Sequence, residues 1–449
     1  MVLLVSALAF GISSTHAQSG SRDVLPPPDP TYQSKIEMAL KNSEADFPMR
    51  LKAPEGAPNV LLIMGDDIGF GHVSAFGGPA NTPTLDRLAQ QGLMYTNFHT
   101  TAICAASRAA LLTGRNSHSV GMGVIPEAPA GFPGYSSFIP RSAATVLEIL
   151  RHNGYSTAWI GKTHLTPIRE ITPAGPFDRW PNGLGAEYSY GFFGPGVSQW
   201  YPPVWENTTP VRPPKTPEQG YHLEADSADK TIDWIRRQES IHPDKPWIVY
   251  YAPSGHKPPI GVPKEFSDKY RGKFDDGYDK LRGRILARQK ELGIVPTNTK
   301  LAPRPETLPA WDELSDKDKK VGARWMEVFS GAVEHTDYQI GRIIDAIEQL
   351  GQFDNTLIIY IPGDNGPTPE GGLHGINNKM TYGNGVQESL DDLVKHIDDF
   401  GTPRSNGSNP AAWGFATSTP YTYGKMVTSG GGCSVAMVVS WPAGIKAQG

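Results

Sequence analysis

The chain has 449 residues, of which 38% are hydrophobic and 19% are charged. This length and composition allow a large apolar core and more than one structural unit, and they exclude a small binding module. The 41 lysines and arginines against 46 aspartates and glutamates give a formal net charge of -5 at pH 7. Because no global positive field attracts nucleic acid or an anionic membrane, any affinity for an anion must come from a local cluster.

The N-terminal region divides into two segments that precede the folded body. Residues 1–17 are apolar and end in Thr15-His16-Ala17, a small-residue pattern typical of a signal peptide cleavage site. The segment is too short for a stable membrane span, so it predicts export to the periplasm or the exterior. No lysine or arginine precedes Arg22, which leaves open a start further upstream. Residues 18–58 are polar and rich in proline, and they predict an extended arm with one helix at 34–43.

Four continuous apolar segments predict strands that are buried on both faces, and each is followed by polar residues. They are residues 59–64, 156–160, 247–251 and 356–361. Helical patterns lie between them at residues 82–92, 143–153, 223–239 and 322–351. This alternation predicts an α/β fold with a large, mostly parallel central sheet flanked by helices. Residues 188–205 are typical of a surface loop, and residues 263–320 of a charged, partly helical excursion.

Polar side chains follow each of these strands and form the candidate site. They are Asp66, Asp67, Lys162, His164, His256, Asp364 and Asn365. Any one of them, taken alone, is best explained as a solvated loop residue. In an open parallel sheet, however, ligands bind at the carboxyl ends of the strands. Polar residues follow all four predicted strands, and this agreement favours a shared site.

The acidic members of this set indicate a metal. Asp66, Asp67, Asp364 and Asn365 offer carboxylate and amide oxygens without thiolate or imidazole, which favours Ca²⁺ or Mg²⁺ over zinc. The adjacent Asp66 and Asp67 would repel one another without a cation. A plain Asp-Asp turn is the alternative, and the Asp364-Asn365 pair is what makes the metal the better explanation.

Cys104 begins an alanine- and leucine-rich segment, residues 105–112, that predicts a helix. A free cysteine in such a place is often only a small buried apolar residue. A helix N-terminus and Arg108 one turn along would instead favour an anion beside Cys104. The second cysteine is Cys433, so the fold cannot rest on a disulfide framework, and a bridge between the two would block chemistry at Cys104.

The run Cys104-Ala105-Ala106-Ser107-Arg108 resembles the sulfatase signature Cys-x-Pro/Ala-x-Arg. In that family a formylglycine-generating enzyme oxidises the cysteine to formylglycine, an aldehyde whose hydrate attacks sulfur. Ala106 stands where proline is commoner, and this departure bears on whether Cys104 is converted. Shorter motifs along residues 59–449 carry the same resemblance, closest to the bacterial arylsulfatase branch: Gly65-Asp66-Asp67, Thr113-Gly114-Arg115, Gly161-Lys162-Thr163-His164, Gly255-His256 and Gly363-Asp364-Asn365-Gly366.

The resemblance implies an alkaline-phosphatase-like sulfatase fold and the hydrolysis of sulfate esters to inorganic sulfate and an alcohol or phenol. It implies a divalent cation, usually calcium, on the four oxygen-bearing residues, with the formylglycine oxygen of Cys104 completing the site. It further implies that Lys162, Arg108 and Lys425 hold the sulfate oxygens. In the reaction, Asp364 would take a proton from the attacking hydroxyl, His256 would protonate the leaving group, and His164 would take a proton from the second hydroxyl.

Two rival functions remain open on the sequence. One is a phosphate or phosphonate ester hydrolase of the same superfamily, and the other is a non-catalytic binder of sulfated ligands with an unconverted Cys104. Aryl, alkyl and carbohydrate sulfates would all present the same group to the same cluster. Members of the family usually continue into a small C-terminal sheet, whereas this chain stops at Gly449. The sequence therefore predicts a catalytic domain, residues 59–449, that is incomplete at its C-terminal end and of low stability.

Overall fold

The computed structural model describes residues 31–46 and 52–448. These residues belong to two compact units, one reaching Lys52 and the other beginning at Ala53. In the first unit the predicted helix at 34–43 is wrong. Leu40–Asn42 is a single 3-10 turn, and Lys35 pairs with Glu44 in an isolated antiparallel bridge. The side chains of this segment are largely exposed, so no buried face stabilises a helix there. The predicted signal peptide lies outside the described residues.

The second unit is built around one mixed sheet, which confirms the α/β prediction. Its strands are β1 (Asn59–Met64), β2 (Leu93–His99), β3 (Ser156–Lys162), β4 (Tyr188–Phe192), β5 (Val204–Glu206), β6 (Thr209–Val211), β7 (Trp247–Ala252), β8 (Thr356–Ile361) and β9 (Ser434–Ser440). Within the described residues their order is β2-β9-β8-β1-β7-β3-β4-β5-β6. The five central strands, β8-β1-β7-β3-β4, are parallel, whereas the strands outside them pair antiparallel.

Helices cover both faces of this sheet. They are α1 (Pro83–Gln91), α2 (Cys104–Thr113), α3 (Val146–His152), α4 (Leu223–Ile241), α5 (Lys264–Ser267), α6 (Tyr278–Glu291), α7 (Asp316–Gln349), α8 (Lys379–Gly383), α9 (Leu390–Lys395), α10 (Ala411–Thr417) and α11 (Gly430–Cys433). The helix predicted at 322–351 begins earlier, because Ser315 caps it by accepting a hydrogen bond from the Asp318 amide. No helix among residues 31–46 and 52–448 combines the length and the apolar character that crossing a bilayer requires.

Successive residues of the central strands enter two different cores, as a continuous apolar run predicts. Leu61 and Ile63 of β1 pack with α1, α4, α6 and α7 on one face of the sheet. Leu62 and Met64 pack with α2 and α3 on the other face. Because both faces are covered, the strands are fixed on both sides and their carboxyl ends are held in register.

The region predicted as a surface loop at 188–205 is partly strand. β4 runs parallel to β3, with Tyr190 opposite Ile160 and Gly191 opposite Gly161. The two glycines allow this close approach, since a Cβ on Gly191 would lie 2.0 Å from the carbonyl oxygen of Gly161. Tyr190 is buried in the core. The abundance of glycine, proline and aromatic residues concealed the strand in the sequence.

The sheet brings its polar strand ends together at one edge. Asp66 follows β1, Lys162 ends β3, His256 follows β7 and Asp364 follows β8. Gly65 is needed where β1 leaves the sheet, because a Cβ there would lie 2.0 Å from the carbonyl oxygen of Pro362. The close contact of these two backbones sets Asp66 and Asp67 beside Asp364.

Candidate active site

Cys104 is the first residue of α2 and lies at the centre of the site. Its side chain is 1% exposed, and its Sγ lies 3.1 Å from Nδ1 of His164. Sγ and one carboxylate oxygen each of Asp66 and Asp364 lie within 4.8 Å of one another. The structure thus groups the predicted nucleophile residue with two of the predicted metal ligands.

Positive charge surrounds the Cys104 thiol. Burial alone would raise its pKa, but Lys162, His164 and Lys425 together bring the pKa well below its ordinary value. Cys104 and Cys433 are both free, so no bridge blocks the site. The position favours a negative charge, as expected at a helix N-terminus.

The four predicted oxygen ligands form one buried cluster. The Asp67 amide donates to Oδ1 of Asp364 at 3.3 Å, and Nδ2 of Asn365 donates to Oδ1 of Asp67 at 2.6 Å. Oδ1 of Asp66 and Oδ1 of Asn365 are buried without a hydrogen-bond partner. Buried oxygens of this kind are costly unless another group satisfies them. Two such oxygens within a set of hard ligands fit a Ca²⁺ or Mg²⁺ ion.

The charge balance of the cluster supports the same interpretation. Burial and the neighbouring Asp66 raise the pKa of Asp364 to about 7, despite the adjacent Arg108. Burial also opposes ionisation of Asp67, but Lys257 and Lys425 hold the pKa of that carboxyl well below its ordinary value. Asp364 is therefore the carboxyl that would gain most from a further positive charge.

Arg108 joins α2 to the acidic cluster. It is fully buried, and its Nε and Nη2 lie 2.9 and 2.8 Å from Oδ2 of Asp364. Nη2 also donates to the carbonyl oxygen of Gly65 at 2.9 Å, and Nη1 donates to the hydroxyl of Tyr250 at 3.0 Å. These contacts give Arg108 a positioning role. Its predicted contact with a sulfate oxygen stays a prediction.

Three buried lysines converge on the aspartates. Nζ of Lys162 lies 2.6 Å from Oδ2 of Asp66. Nζ of Lys425 lies 3.0 Å from Oδ2 of Asp67, which brings this distant residue into the predicted cluster. Nζ of Lys257 lies 2.6 Å from the same oxygen. Sequence reasoning missed Lys257, although it is the neighbour of His256.

His164 lies between Cys104 and an acidic residue that the sequence did not reveal. Its Nε2 is 2.9 Å from Oε2 of Glu127, and its Nδ1 faces Sγ of Cys104. Burial would lower the pKa of His164, but Cys104 and Glu127 raise it. Glu127 lies in a loop after α2 and not at a strand end, so no positional signal identified it.

His256 differs from the other predicted residues because its ring turns toward the backbone. Nε2 accepts the Asp66 amide hydrogen at 3.0 Å, and Nδ1 lies 3.3 Å from the hydroxyl of Thr336. Burial lowers the pKa of His256 to about 4. A neutral ring whose Nε2 accepts the amide has no proton on that nitrogen. The predicted proton transfer from His256 to the leaving group stays a prediction, and this geometry disfavours it.

Glu224 of α4 holds the loop that follows β7. Its Oε1 accepts the Ser254 amide at 2.7 Å, while burial raises its pKa to about 7. Between the ordinary pKa of 4.5 and about 7, the unfolded chain loses this proton and the folded protein keeps it. Raising the pH through that interval therefore favours unfolding at this group.

We expect Glu224→Gln to remove that pH-dependent loss, which amounts to roughly 3 kcal/mol when each pKa unit contributes about 1.4 kcal/mol. Glutamine keeps an oxygen for the Ser254 amide. Urea unfolding at a series of pH values from acid to neutral measures the effect. The control is Asp229→Asn on the exposed side of the same helix, which should keep the parental pH dependence. Parallel curves for the parent and Glu224→Gln would contradict the prediction.

The fold and this arrangement of buried groups define an α/β protein with a cluster of cationic side chains beside a candidate metal centre. A sequence profile of the sulfatase family matches residues 58–447. The chain belongs to the sulfatase family, whose members are sulfuric ester hydrolases.

Individual relatives agree with this assignment. An uncharacterized sulfatase of Schizosaccharomyces pombe is 34% identical over 336 residues, which cover 70% of this chain and 58% of that protein. The arylsulfatase of Klebsiella aerogenes is 28% identical over 409 residues, covering 88% of this chain and 83% of that enzyme. The crystal structure of Ps i-CgsB has a TM-score of 0.56 at 20% identity, over 87% of this chain and 67% of that one. The chain thus spans little more than half the length of the yeast relative.

Proposed function

We propose that this protein hydrolyses sulfate esters, with a formylglycine derived from Cys104 as the source of the nucleophile, and releases inorganic sulfate and an alcohol or phenol. The observation that carries the proposal is the single buried cluster in which Sγ of Cys104 lies within 4.8 Å of oxygens of Asp66 and Asp364. Four buried cationic side chains lie around it: Arg108 on α2, Lys162 at the end of β3, and Lys257 and Lys425 in loops. This combination suits an anionic substrate that reacts with a nucleophile at position 104.

Two groups that the family implies would act through these residues. Asp66, Asp67, Asp364 and Asn365 would hold a divalent cation, Ca²⁺ or Mg²⁺, which supplies positive charge beside the nucleophile. Formylglycine at position 104 would supply a hydrated aldehyde, and a formylglycine-generating enzyme is accordingly a proposed partner. The two unpartnered oxygens, Oδ1 of Asp66 and Oδ1 of Asn365, support the cation.

The remaining residues of the site bind charge and hold protons. Lys162 and Lys425 lie beside Asp66 and Asp67 and would turn to the sulfate oxygens when those carboxylates hold a cation. His164 would take a proton near position 104 and share it with Glu127, whose Oε2 lies 2.9 Å from its Nε2. Asp364 is the proposed acceptor for the first proton, because one of its carboxylate oxygens lies within 4.8 Å of Sγ of Cys104.

The decisive experiment combines peptide mass and turnover on protein produced with a formylglycine-generating enzyme. We expect the peptide that contains Cys104 to show the mass loss from thiol to aldehyde. The protein should hydrolyse 4-nitrophenyl sulfate faster than 4-nitrophenyl phosphate, lose activity on chelation, and regain it with Ca²⁺ or Mg²⁺. Preference for the phosphate ester would favour the phosphatase rival. Sulfate binding without turnover by protein produced together with the formylglycine-generating enzyme would favour the binder.

Export to the periplasm or the exterior is part of the proposal and rests on the sequence pattern of residues 1–17. Fractionation of cells that express the full chain tests it, since the processed protein should lack this segment and leave the cytoplasm. Retention of the segment on cytoplasmic protein would contradict export. The natural ester can be aryl, alkyl or carbohydrate, because all three would present the same sulfate group to the cluster.

A further inference from the structure

Lys257 is a charged residue at the site to which the sequence pattern assigned no role. Its side chain is 1% exposed, and its Nζ lies 2.6 Å from Oδ2 of Asp67. An ammonium group so deeply buried is stable only where negative charge is available to it. The turn after β7 fixes it there, since the Lys257 amide donates to the carbonyl oxygen of Ser254 at 2.9 Å.

Lys257 and Lys425 form a matched pair. Both Nζ atoms contact the same oxygen of Asp67, at 2.6 and 3.0 Å. Both also lie near Oε1 of Glu370, at 3.8 and 3.7 Å. One carboxylate oxygen therefore receives two ammonium groups. If Asp67 holds a cation, both ammonium groups are available to another anion at the same place.

The neighbouring His256 cannot substitute for Lys257 in this position. Its Nε2 is engaged with the Asp66 amide and its Nδ1 faces Thr336. Of the two adjacent residues after β7, the histidine supports the backbone and the lysine reaches the cluster. Lys257 is therefore the residue of this turn whose charged group reaches the carboxylate cluster.

We propose that Lys257 is a substrate-binding residue that contacts the sulfate group of the ester together with Lys425. The proposal rests on the proposed sulfatase function and adds to it a cation from the turn after β7. The two ammonium groups lie on the same side of Asp67, where both are also near Glu370. A permanent positive charge at this point requires no change of protonation during the reaction.

Binding of an uncleaved ester tests the proposal without reference to turnover. In a Cys104→Ala background with Ca²⁺ present, calorimetric titration with 4-nitrophenyl sulfate gives the affinity directly. We expect Lys257→Met to weaken binding about 10- to 100-fold, the loss typical of a hydrogen bond to a charged group. Lys257→Arg keeps the charge and should recover most of the affinity. Thermal unfolding of each variant shows whether it is folded.

The matched control is Lys379→Met. Nζ of Lys379 lies 2.7 Å from Oε2 of Glu370 and donates to the carbonyl oxygen of Pro258 at 3.3 Å, so it shares the environment of Lys257. Its contacts include no aspartate of the cluster, and its removal should leave the affinity within about twofold of the background.

These measurements separate failure of the Lys257 assignment from failure of the proposed sulfatase function. Binding by folded Lys257→Met as tight as that of the Cys104→Ala background would overturn the assignment of Lys257 and leave the sulfatase function intact. Weaker binding by folded Lys257→Arg than by folded Lys257→Met would also overturn it, because a positive charge at this position would then not help. Absence of both binding by the background protein and hydrolysis by converted parent would overturn the proposed function and Lys257 with it.

Discussion

We expect Arg108→Ala to lower the free energy of unfolding by about 3–5 kcal/mol and to abolish ester hydrolysis. The guanidinium lies 2.8 Å from Oδ2 of Asp364, and both side chains are fully buried. Removing it would leave a buried carboxyl without its cation and the carbonyl oxygen of Gly65 without its donor. The cost arises from these uncompensated groups and not from the intrinsic strength of the pair. Urea denaturation at neutral pH without added divalent cation measures it, because a bound Ca²⁺ would itself compensate Asp364.

The matched control is Arg141→Ala. Arg141 pairs with Asp178 at 2.7 Å, but the two side chains are 84% and 55% exposed. An exposed pair contributes about 0–1 kcal/mol, so this variant should unfold almost like the parent. A difference below about 1 kcal/mol between Arg108→Ala and the parent would show that Asp364 finds another partner.

The fold was predictable where a strand is buried on both faces. β1, β3, β7 and β8 are continuous apolar runs, because every residue of such a strand enters a core. β4 was not predictable in this way. Its pairing depends on the close contact of Gly191 with Gly161, and glycine in a sequence indicates turns more often than such contacts.

The sequence allowed us to predict which strand ends form the candidate site, but not every side chain that lies in it. The rule that polar groups gather at the carboxyl ends of parallel strands brings Asp66, Lys162 and Asp364 together. It cannot say which of two adjacent residues faces the site. The hydrogen bond from Lys257 to Ser254 and the one from the Asp66 amide to His256 decide that choice, and both depend on tertiary contacts. Glu127 reaches His164 from a loop, which no pattern of strands predicts.

A second large effect is expected at position 104 itself. The Cys104→Ser variant should transfer one sulfate group to its serine and then stop. A serine hydroxyl can attack sulfur, forming a bond from its oxygen to sulfur while the bond to the aryl oxygen breaks and the phenol leaves with a proton. The product is a stable serine sulfate ester, because serine lacks the second hydroxyl through which the aldehyde hydrate would expel sulfate. Sustained turnover should fall by at least about 10³-fold.

The measurement is the amount of phenol released by Cys104→Ser, together with the mass of the peptide that contains residue 104. We expect one equivalent of phenol at most and a mass gain of one SO₃ group on that peptide. Cys433→Ser is the matched control, because Cys433 is the other free cysteine of the chain and lies at the end of α11. It should keep parental turnover. Continued turnover by Cys104→Ser near the parental rate would mean that residue 104 does not supply the nucleophile, and the proposed mechanism would then be wrong at its first step.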